Sequence, residues 1–420
     1  MRTLAEVWLW GSRIGAVSVE GQSPFAAFEY DRDFLSSGIQ LAPLMMPLGP
    51  GIFRFEDLPR RSYHGLPGLL AGSLPGPFGE RLIAAWLSSQ ERQPGEYNPV
   101  ERLSYTGVRG LGALEFRPSY FPEQGPERPL RLADLSAMAS DVLERRRELQ
   151  ASFTAPERRT QVANLLRVGT SAGGSRAKAA LAWNPKKNQF HSGSPAPHLG
   201  FEPWLVKFSG SPLSPEYGPM EHAYAQMAEA AGIQLAPYHL HEDSGERHFM
   251  TRRFDHDPEG RRLHVQSLAN LVHSEPRQPK TTSYERSLEV IRQLDLGMDT
   301  VEQQFRRIAF NLVAANTGDH PSKTHFLMAR SGKWSLAPAS DLVCSQDSSP
   351  HAMTLAGKRD SFTREDLRQA ARTASMKRGR CDEILSEVQS AVRRWPDFAA
   401  AADLHGDWTK RIAASHRLEL

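Results

Sequence analysis

A helix, a polar loop and a hairpin, in that order between residues 301 and 341, constrain this chain more than any other stretch. The apolar residues of the predicted helix recur at intervals of four, three and four, namely Val301, Phe305, Ile308 and Leu312. This spacing places them on one face, so the helix is predicted to belong to a core. Thr300 and Gln303 are spaced as a capping box, which predicts that the helix begins there.

The loop after this helix, residues 316–323, is crowded with groups that titrate or hydrogen-bond, and Pro321 prevents the helix from continuing. An apolar run at 324–328 and a second one after the Ser331–Gly332 turn predict a hairpin, which ends near Asp341. A polar loop at a helix end and an aspartate after a hairpin are typical of the catalytic and metal-binding segments of kinases. Polar loops and turn aspartates are also common as solvated surface.

Composition excludes several other classes of protein. The chain has 420 residues, of which 40% are hydrophobic and 24% charged, so it is an ordinary globular chain of two or three subdomains. A net charge of +3 is too small to indicate nucleic-acid binding, so any DNA contact is expected through a partner. Two cysteines without a Cys-x-x-Cys pair argue against a zinc site. No signal peptide and no run of 18 apolar residues occur, so we expect a cytoplasmic protein without a membrane span.

The first 118 residues are predicted to form a small α+β domain. Leu4 to Val19 alternates around Gly11–Ser12 as a β-hairpin, residues 25–30 continue as a strand, and residues 80–88 read as a helix. Residues 105–118 read as a strand that carries three glycines within six residues. These glycines indicate a turn with close backbone packing rather than a phosphate loop, because no Lys-Ser/Thr follows them.

Residues 119–150 are predicted to be a proline-rich linker followed by a charged amphipathic helix. The stretch 168–178 that follows is the best candidate for a phosphate-covering loop. Its glycines let backbone N–H groups approach phosphate oxygens, while Arg176 and Lys178 supply positive charge. Because a strand at 179–183 follows it, this is not a Walker A motif. A turn without a ligand is the alternative.

Three further segments complete the pattern. Residues 203–208 form an apolar strand that is interrupted by Lys207, which is either a snorkelling edge lysine or a phosphate-binding one. The helix predicted at 220–232 begins with Glu221, which either pairs with Lys207 or simply favours the helix N-terminus. Residues 362–395 are predicted to be helical up to Pro396.

These segments together resemble one family. Phe310-Asn311-Leu-Val-Ala-Ala-Asn316-Thr-Gly-Asp-His320 and Trp334-Ser-Leu-Ala-Pro-Ala-Ser-Asp341 resemble the C-terminal signature of the HipA family of bacterial toxin kinases. Ser171, Gly174 and Lys178 fit the family's Ser-x-x-Gly-x-x-x-Lys loop, and Arg253-Phe-Asp255 its hinge. The resemblance implies a two-lobed, protein-kinase-like α+β fold with a mostly helical C-terminal lobe, and ATP and Mg²⁺ between the lobes. The implied divisions are 1–118, 119–150, 151–260 and 261–420.

The resemblance also assigns roles to particular residues. Lys207 would hold phosphates, Asp341 would hold the metal, and Ser171, with Thr170 as its neighbouring alternative, would be an inhibitory autophosphorylation site. The nucleotide-binding residues carried over from the family are Ala172, Gly173, Gly174, Ser175, Arg176, Lys178, Lys207, Glu221, Arg253 and Phe254.

The catalytic loop departs from the family pattern. The family's catalytic Asp falls on Gly318, its metal-binding Asn on Lys323, and its tyrosine before the last aspartate on Ser340. A glycine cannot accept a hydroxyl proton, and an ammonium cannot coordinate Mg²⁺, although it could neutralise phosphate charge directly. Three explanations stay open: Asp319 acts as a substitute base, the protein is a nucleotide-binding pseudokinase, or the subfamily has a different chemistry.

By resemblance, the reaction would be phosphoryl transfer to serine or threonine of a protein target, with Asp319, Asp341 and Lys207 as its catalytic residues. Family substrates include aminoacyl-tRNA synthetases. The expected partner is a helix-turn-helix antitoxin of the HipB type, which would inhibit the kinase and supply the DNA contact. The alternative is a pseudokinase that acts as a regulatory module in a toxin–antitoxin or repressor complex.

Overall fold

The computed structural model describes residues 2–89, 97–120, 128–144, 165, 168–169, 176–192, 197–209, 216–276, 278–345 and 349–420. The chain divides into two compact units. Unit 1 comprises Met1–Pro215, His241–Gln266 and Met328–Gly332, and unit 2 comprises Glu216–Leu240, Ser267–Leu327 and Lys333–Leu420.

The first sheet of unit 1 grows from the predicted N-terminal hairpin. Its strands are β1 (Arg2–Leu9), β2 (Ser12–Glu20), β3 (Ala27–Tyr30), β4 (Ile52–Phe53) and β5 (Leu114–Arg117), in the antiparallel order β4-β3-β2-β1-β5. Trp10 and Gly11 both have positive φ, 51° and 87°, which is the geometry of a two-residue hairpin turn. Alternate residues of β1, namely Ala5, Val7 and Leu9, are buried, so one face of the sheet meets the core.

The helices of unit 1 are α1 (Arg32–Leu35), α2 (Arg60–Tyr63), α3 (Gly68–Ala71), α4 (Pro77–Ser89), α5 (Pro99–Thr106) and α6 (Leu132–Glu144). Helix α5 corrects the strand predicted over 105–118, because Tyr105 and Thr106 belong to it. The side chains of Asn98 and Glu101 form a capping box that starts this helix. Of the predicted strand, only the four residues just before Pro118, Leu114–Arg117, form β5.

A second sheet carries the predicted phosphate-binding lysine. Its strands are β6 (Arg128–Leu130), β7 (Lys178–Asn184), β8 (Gln189–Ser192), β9 (Glu202–Lys207), β10 (Tyr238–Asp243) and β11 (Glu246–Arg252), in the order β10-β11-β9-β7-β8-β6. Strands β7 and β9 confirm the predictions for 179–183 and 203–208. The end of the predicted linker pairs with β8 as edge strand β6, a position that tolerates Pro129. Phe78, Leu82, Leu181 and Val206 share one buried cluster behind the sheet.

Unit 2 is mostly helical. Its helices are α7 (Tyr217–Ala230), α8 (Leu268–Val272), α9 (Tyr284–Gln293), α10 (Met298–Val313), α11 (Arg364–Thr373), α12 (Arg380–Arg393), α13 (Trp395–Ala401) and α14 (Gly406–Ser415). Helix α10 buries the predicted stripe completely or almost completely. The stretch 362–395 that was predicted to be helical contains two helices, and Gly379, with φ +86°, immediately precedes the second of them.

The predicted capping box of α10 is wrong. The helix begins at Met298 after Gly297, whose φ is +77°. Thr300 donates its hydroxyl to the Leu296 carbonyl, and Gln303 donates its amide to the carbonyl of Gly232. The Gln303 side chain, which the local pattern assigned to a cap, therefore makes a tertiary contact instead.

Strand β12 (His264–Ser267) precedes α8, and β13 (His325–Met328) and β14 (Trp334–Leu336) form the predicted hairpin, with Gly332 at φ +80° in its turn. Within the described ranges, helices and sheets thus mix as an α+β fold. None of the described helices has both the length and the apolar character that a membrane crossing requires.

Candidate functional site

A small cavity in unit 2 lies where α10 runs into the polar loop. Its volume is about 30 Å³, which suits a water molecule or a small ion and is far too small for a nucleotide. The polar side chains that line it come from α9, α10, the loop and the segment after β14, and include Tyr284, Arg307, Asn311, Asp319, Lys323 and Asp341. The structure therefore brings together the predicted residues of the altered catalytic loop.

Two asparagines fix the start of the loop to the end of α10. The side-chain amide of Asn316 donates to the side-chain oxygen of Asn311 at 2.9 Å, and its backbone N–H donates to the Asn311 carbonyl at 3.0 Å. Asn311 in turn donates to the Tyr284 hydroxyl at 3.2 Å. Ala315 takes a left-handed φ of 54°, which turns the chain out of the helix.

Asp319 is buried and fully engaged by neighbours. One carboxylate oxygen accepts the Tyr284 hydroxyl and lies 2.9 Å from Nδ1 of His351, and the other accepts the Ala352 N–H at 2.7 Å. Burial, followed by the nearby Asp319 charge, raises the pKa of Tyr284 well above its ordinary value, so the hydroxyl keeps its proton and donates it. A general base needs an oxygen that is free to reach a substrate proton, whereas each oxygen of Asp319 already accepts a hydrogen bond from within the protein.

Gly318 precedes Asp319 and leaves room for a side chain. A Cβ at this position would meet Ser345 Oγ at 3.4 Å and Asn316 Oδ1 at 4.0 Å, which are ordinary contacts. Its φ lies outside the left-handed region, so an L side chain fits its backbone. The backbone therefore does not require a glycine at position 318, and an aspartate would fit there.

Lys323 and Asp341 form an ion pair at the more exposed part of the cavity. Lys323 Nζ lies 3.1 Å from Asp341 Oδ2, and the two side chains are 30% and 27% exposed. A short 3₁₀ turn, Pro321–Lys323, positions the lysine, and Asp341 has a left-handed φ of 55°. His320 is half-buried, and this desolvation lowers its pKa to about 4, so its ring is neutral at pH 7.

The donor set around Asp341 fits Mg²⁺ poorly. This ion requires about six oxygen ligands in octahedral geometry, usually with one or two carboxylates. Here Gly318 supplies no oxygen from a side chain, Asp319 is engaged elsewhere, and an ammonium lies against Asp341. No group of three or more His, Cys, Asp or Glu side chains within the described ranges could hold a metal ion. Asp341 as a metal ligand stays a prediction.

In unit 1, Lys178 and Lys207 lie directly opposite each other on the antiparallel strands β7 and β9. Opposed residues project on the same face of a sheet, with Cβ atoms roughly 5 Å apart. Both residues are buried, at 4% and 7% exposure, and Lys207 Nζ lies 5.5 Å from the centre of the Phe249 ring. The two lysines therefore bring two positively charged side chains to the same face of the sheet.

The predicted hinge is held by a buried carboxylate. Arg253 donates twice to Asp255, at 2.9 and 2.6 Å, and Asp255 also accepts the Gly112 N–H at 2.8 Å. Burial acts to raise the pKa of Asp255, but the Arg253 charge holds it well below its ordinary value. The Arg253 side chain is thus engaged within the protein, while Phe254 is half-buried. Their nucleotide contacts stay predictions.

Several predicted site residues cannot be placed together. Ser171 and the loop residues 170–175 lie outside the described residues. Arg176 is described and half-buried. Glu221 is buried on α7 in unit 2, whereas Lys207 belongs to unit 1, so their pairing stays a prediction.

Sequence reasoning missed two residues that line the cavity, Tyr284 and Arg307, and it missed His351, which contacts Asp319. One signal for them exists on α10. Gln304, Arg307 and Asn311 recur at intervals of three and four beside the apolar stripe, which is a polar stripe that leads into the loop. All three are buried, as this second stripe could have indicated.

The fold and these motifs define an α+β protein that is built from two compact units and has a HipA-like fold. The chain belongs to the HipA family: the model of the HipA-like C-terminal domain matches residues 170–395, more than half of the chain, and that of the HipA N-terminal domain matches 5–117. No curated protein matches the sequence significantly.

Two solved structures are similar to this chain to different extents. A Shewanella oneidensis MR-1 HipA, solved with HipB and operator DNA, is 16% identical, with a TM-score of 0.65 over 98% of this chain and 96% of that one. The Helicobacter pylori proinflammatory kinase CtkA is 13% identical, with a TM-score of 0.33 over 51% of this chain and 90% of that one. At this identity the likeness to the Shewanella structure shows the fold alone.

Proposed function

We propose that this protein is a nucleotide-binding regulatory member of a HipA-type toxin–antitoxin complex, in which the family's phosphoryl transfer is lost or strongly reduced. The observation that carries this proposal is the state of the catalytic loop. Gly318 stands where the family has its catalytic Asp, and both oxygens of Asp319 are occupied by Tyr284, His351 and Ala352. Removal of a positioned base typically costs about 10²- to 10⁴-fold in rate.

Nucleotide binding is supported by the second sheet. Lys178 and Lys207 place two positively charged side chains on one face, and a polyphosphate carries the opposite charge. The family pattern assigns both residues to the nucleotide, and the loop that precedes Lys178 carries the glycines that a phosphate loop requires. ATP is therefore the proposed ligand.

The proposed partner is a helix-turn-helix antitoxin of the HipB type. Support comes from the family membership and from the Shewanella HipA, which was solved with HipB and operator DNA. The small net charge of +3 agrees with DNA contact through such a partner rather than through this chain.

A second candidate is an active serine/threonine kinase that uses Asp319 as its base. It is favoured by the fact that Asp319, Lys323 and Asp341 line the same cavity. In this alternative, Tyr284 and His351 would have to release the Asp319 carboxylate before it could reach a substrate hydroxyl. Autophosphorylation of Ser171 and a protein substrate such as an aminoacyl-tRNA synthetase belong to this alternative.

Phosphoryl transfer from γ-labelled ATP in MgCl₂ separates the two candidates. We expect no transfer by the native protein above that of Gly318→Asn, and a gain of about 10²-fold in Gly318→Asp, since the cavity tolerates a Cβ at this position. Gly318→Asn is the matched control, because it has the same shape without the carboxylate. Strong native transfer that Asp319→Asn abolishes in a folded protein would instead establish the kinase.

A further inference from the structure

The cavity in unit 2 contains a buried cation that has no counter-charge among the residues that the structure describes. Arg307 is 7% exposed, and one of its terminal nitrogens donates to the Ala337 carbonyl at 2.7 Å. Its Nε–H has no acceptor, and no carboxylate within the described ranges lies within ion-pair distance of its guanidinium. Burial lowers the pKa of Arg307 to about 10, which still leaves it charged at pH 7.

The other charges of the cavity do not compensate Arg307. Asp319 is held by Tyr284, His351 and Ala352, and Asp341 pairs with Lys323. A buried charge is costly unless it is paired and hydrogen-bonded, so an anionic ligand beside Arg307 would offset part of this cost. An anion beside Arg307 and Lys323 would supply the missing charge and an acceptor for the Nε–H.

We propose that this cavity receives a terminal phosphoryl oxygen of ATP, and that Lys323 and Arg307 hold it in place of a divalent cation. The inference rests on the proposed nucleotide binding and deepens it. Lys323 is the partly exposed cation at which the ligand arrives, and Arg307 is the buried one that fixes the oxygen inside. Asp341 then positions the lysine instead of binding a metal. The small volume suits one phosphoryl oxygen, while the rest of the ligand stays outside.

Calorimetric titration with ATP, once in EDTA and once in MgCl₂, tests this inference. We expect the native protein to bind ATP with affinities that agree within about threefold in the two buffers, and Lys323→Met to weaken binding in EDTA by about tenfold or more. The matched control is Lys358→Met, which breaks another Lys–Asp pair of unit 2, with Asp366 at 2.8 Å, outside the cavity lining. Arg307→Lys, which keeps the charge but shortens its reach, should give a smaller loss than Lys323→Met gives.

The outcomes are distinguishable. Two results would overturn the metal-free phosphoryl site while the proposed function stands. The first is that the native protein binds ATP only with Mg²⁺. The second is that Lys323→Met leaves the affinity in EDTA unchanged. The absence of ATP binding in both buffers overturns both. Unchanged affinity in Arg307→Lys together with a loss in Lys323→Met removes Arg307 from the site, and a buried water between Arg307 Nε and the unpartnered Oε1 of Gln304 then accounts for that part of the cavity.

Discussion

The Asp319 carboxylate lies 2.9 Å from Nδ1 of His351, and neither side chain has exposed surface. With the Tyr284 hydroxyl and the Ala352 N–H, this contact links the polar loop to α9 and to the segment before α11. Asp319 therefore holds three parts of unit 2 together, whatever its relation to a ligand.

Asp319→Asn should destabilise the protein. The amide keeps one acceptor oxygen but places an NH₂ group against one of the donors, so a buried hydrogen bond to a charged group is lost, at a cost of about 2 to 4 kcal/mol. Urea unfolding should show a lower midpoint. Asp360→Asn, at an exposed aspartate of the same unit, is the control, and an equal effect of the two substitutions would contradict the role of Asp319.

Lys207→Ala should weaken ATP binding by about tenfold or more, because it removes one of the two ammonium groups opposed on β7 and β9. Equilibrium dialysis with labelled ATP measures this. Lys187→Ala removes an exposed lysine from the turn of the same sheet and should leave the affinity unchanged. Unchanged binding in a correctly folded Lys207→Ala protein would reject the assignment of Lys207 to the phosphates.

Buried His264 should make stability depend on pH. Burial lowers its pKa to about 4, whereas it is about 6.5 in the unfolded chain. The unfolded state therefore binds more protons between these values, so the contribution of the neutral ring is complete above pH 6.5 and is lost as the pH falls towards 4.

The expected loss from this one histidine is about 3 kcal/mol across that window. His264→Gln does not titrate and can still donate to the Leu41 carbonyl, which lies 3.0 Å from the ring. It should therefore reduce the pH dependence of urea unfolding, while His222, His273, His320 and His416, whose pKa values are also lowered to about 4, keep their contributions. The exposed His405→Gln is the control. An unchanged slope in His264→Gln would show that His264 does not contribute.

Gly112→Ala should destabilise unit 1 by about 2 to 4 kcal/mol. Gly112 has φ +83°, and a Cβ there would meet the backbone nitrogen of Val265 at 3.0 Å. Gly245 has the same φ in an open turn with nothing within 4 Å, so Gly245→Ala measures the cost of the backbone conformation alone. Thermal unfolding should place Gly112→Ala clearly below Gly245→Ala. Equal midpoints would mean that the Gly112 loop moves away at little cost.

Local patterns predicted much of the fold. The alternation of Leu4 to Val19 indicated the hairpin of β1 and β2, and the stripe from Val301 to Leu312 indicated α10, because hydrophobic periodicity acts within one element. The resemblance of residues 310–341 and 171–178 to the HipA family correctly indicated that this chain belongs to it. Local patterns failed at Tyr105 and Thr106, where the Asn98 capping box extended a helix into a predicted strand.

The sequence by itself determined that Gly318 has no carboxylate, that Lys323 brings an ammonium to the loop and that Lys207 interrupts a buried strand. Only the tertiary structure decided that Asp319 is held by Tyr284 and His351, that Lys323 pairs with Asp341, and that Arg307 is buried without a carboxylate among the described residues. The partners of these charges are 18 to 35 residues away along the chain. Neither the periodicity of a helix nor the alternation of a strand carries information over that separation, so folding alone sets which charges are paired.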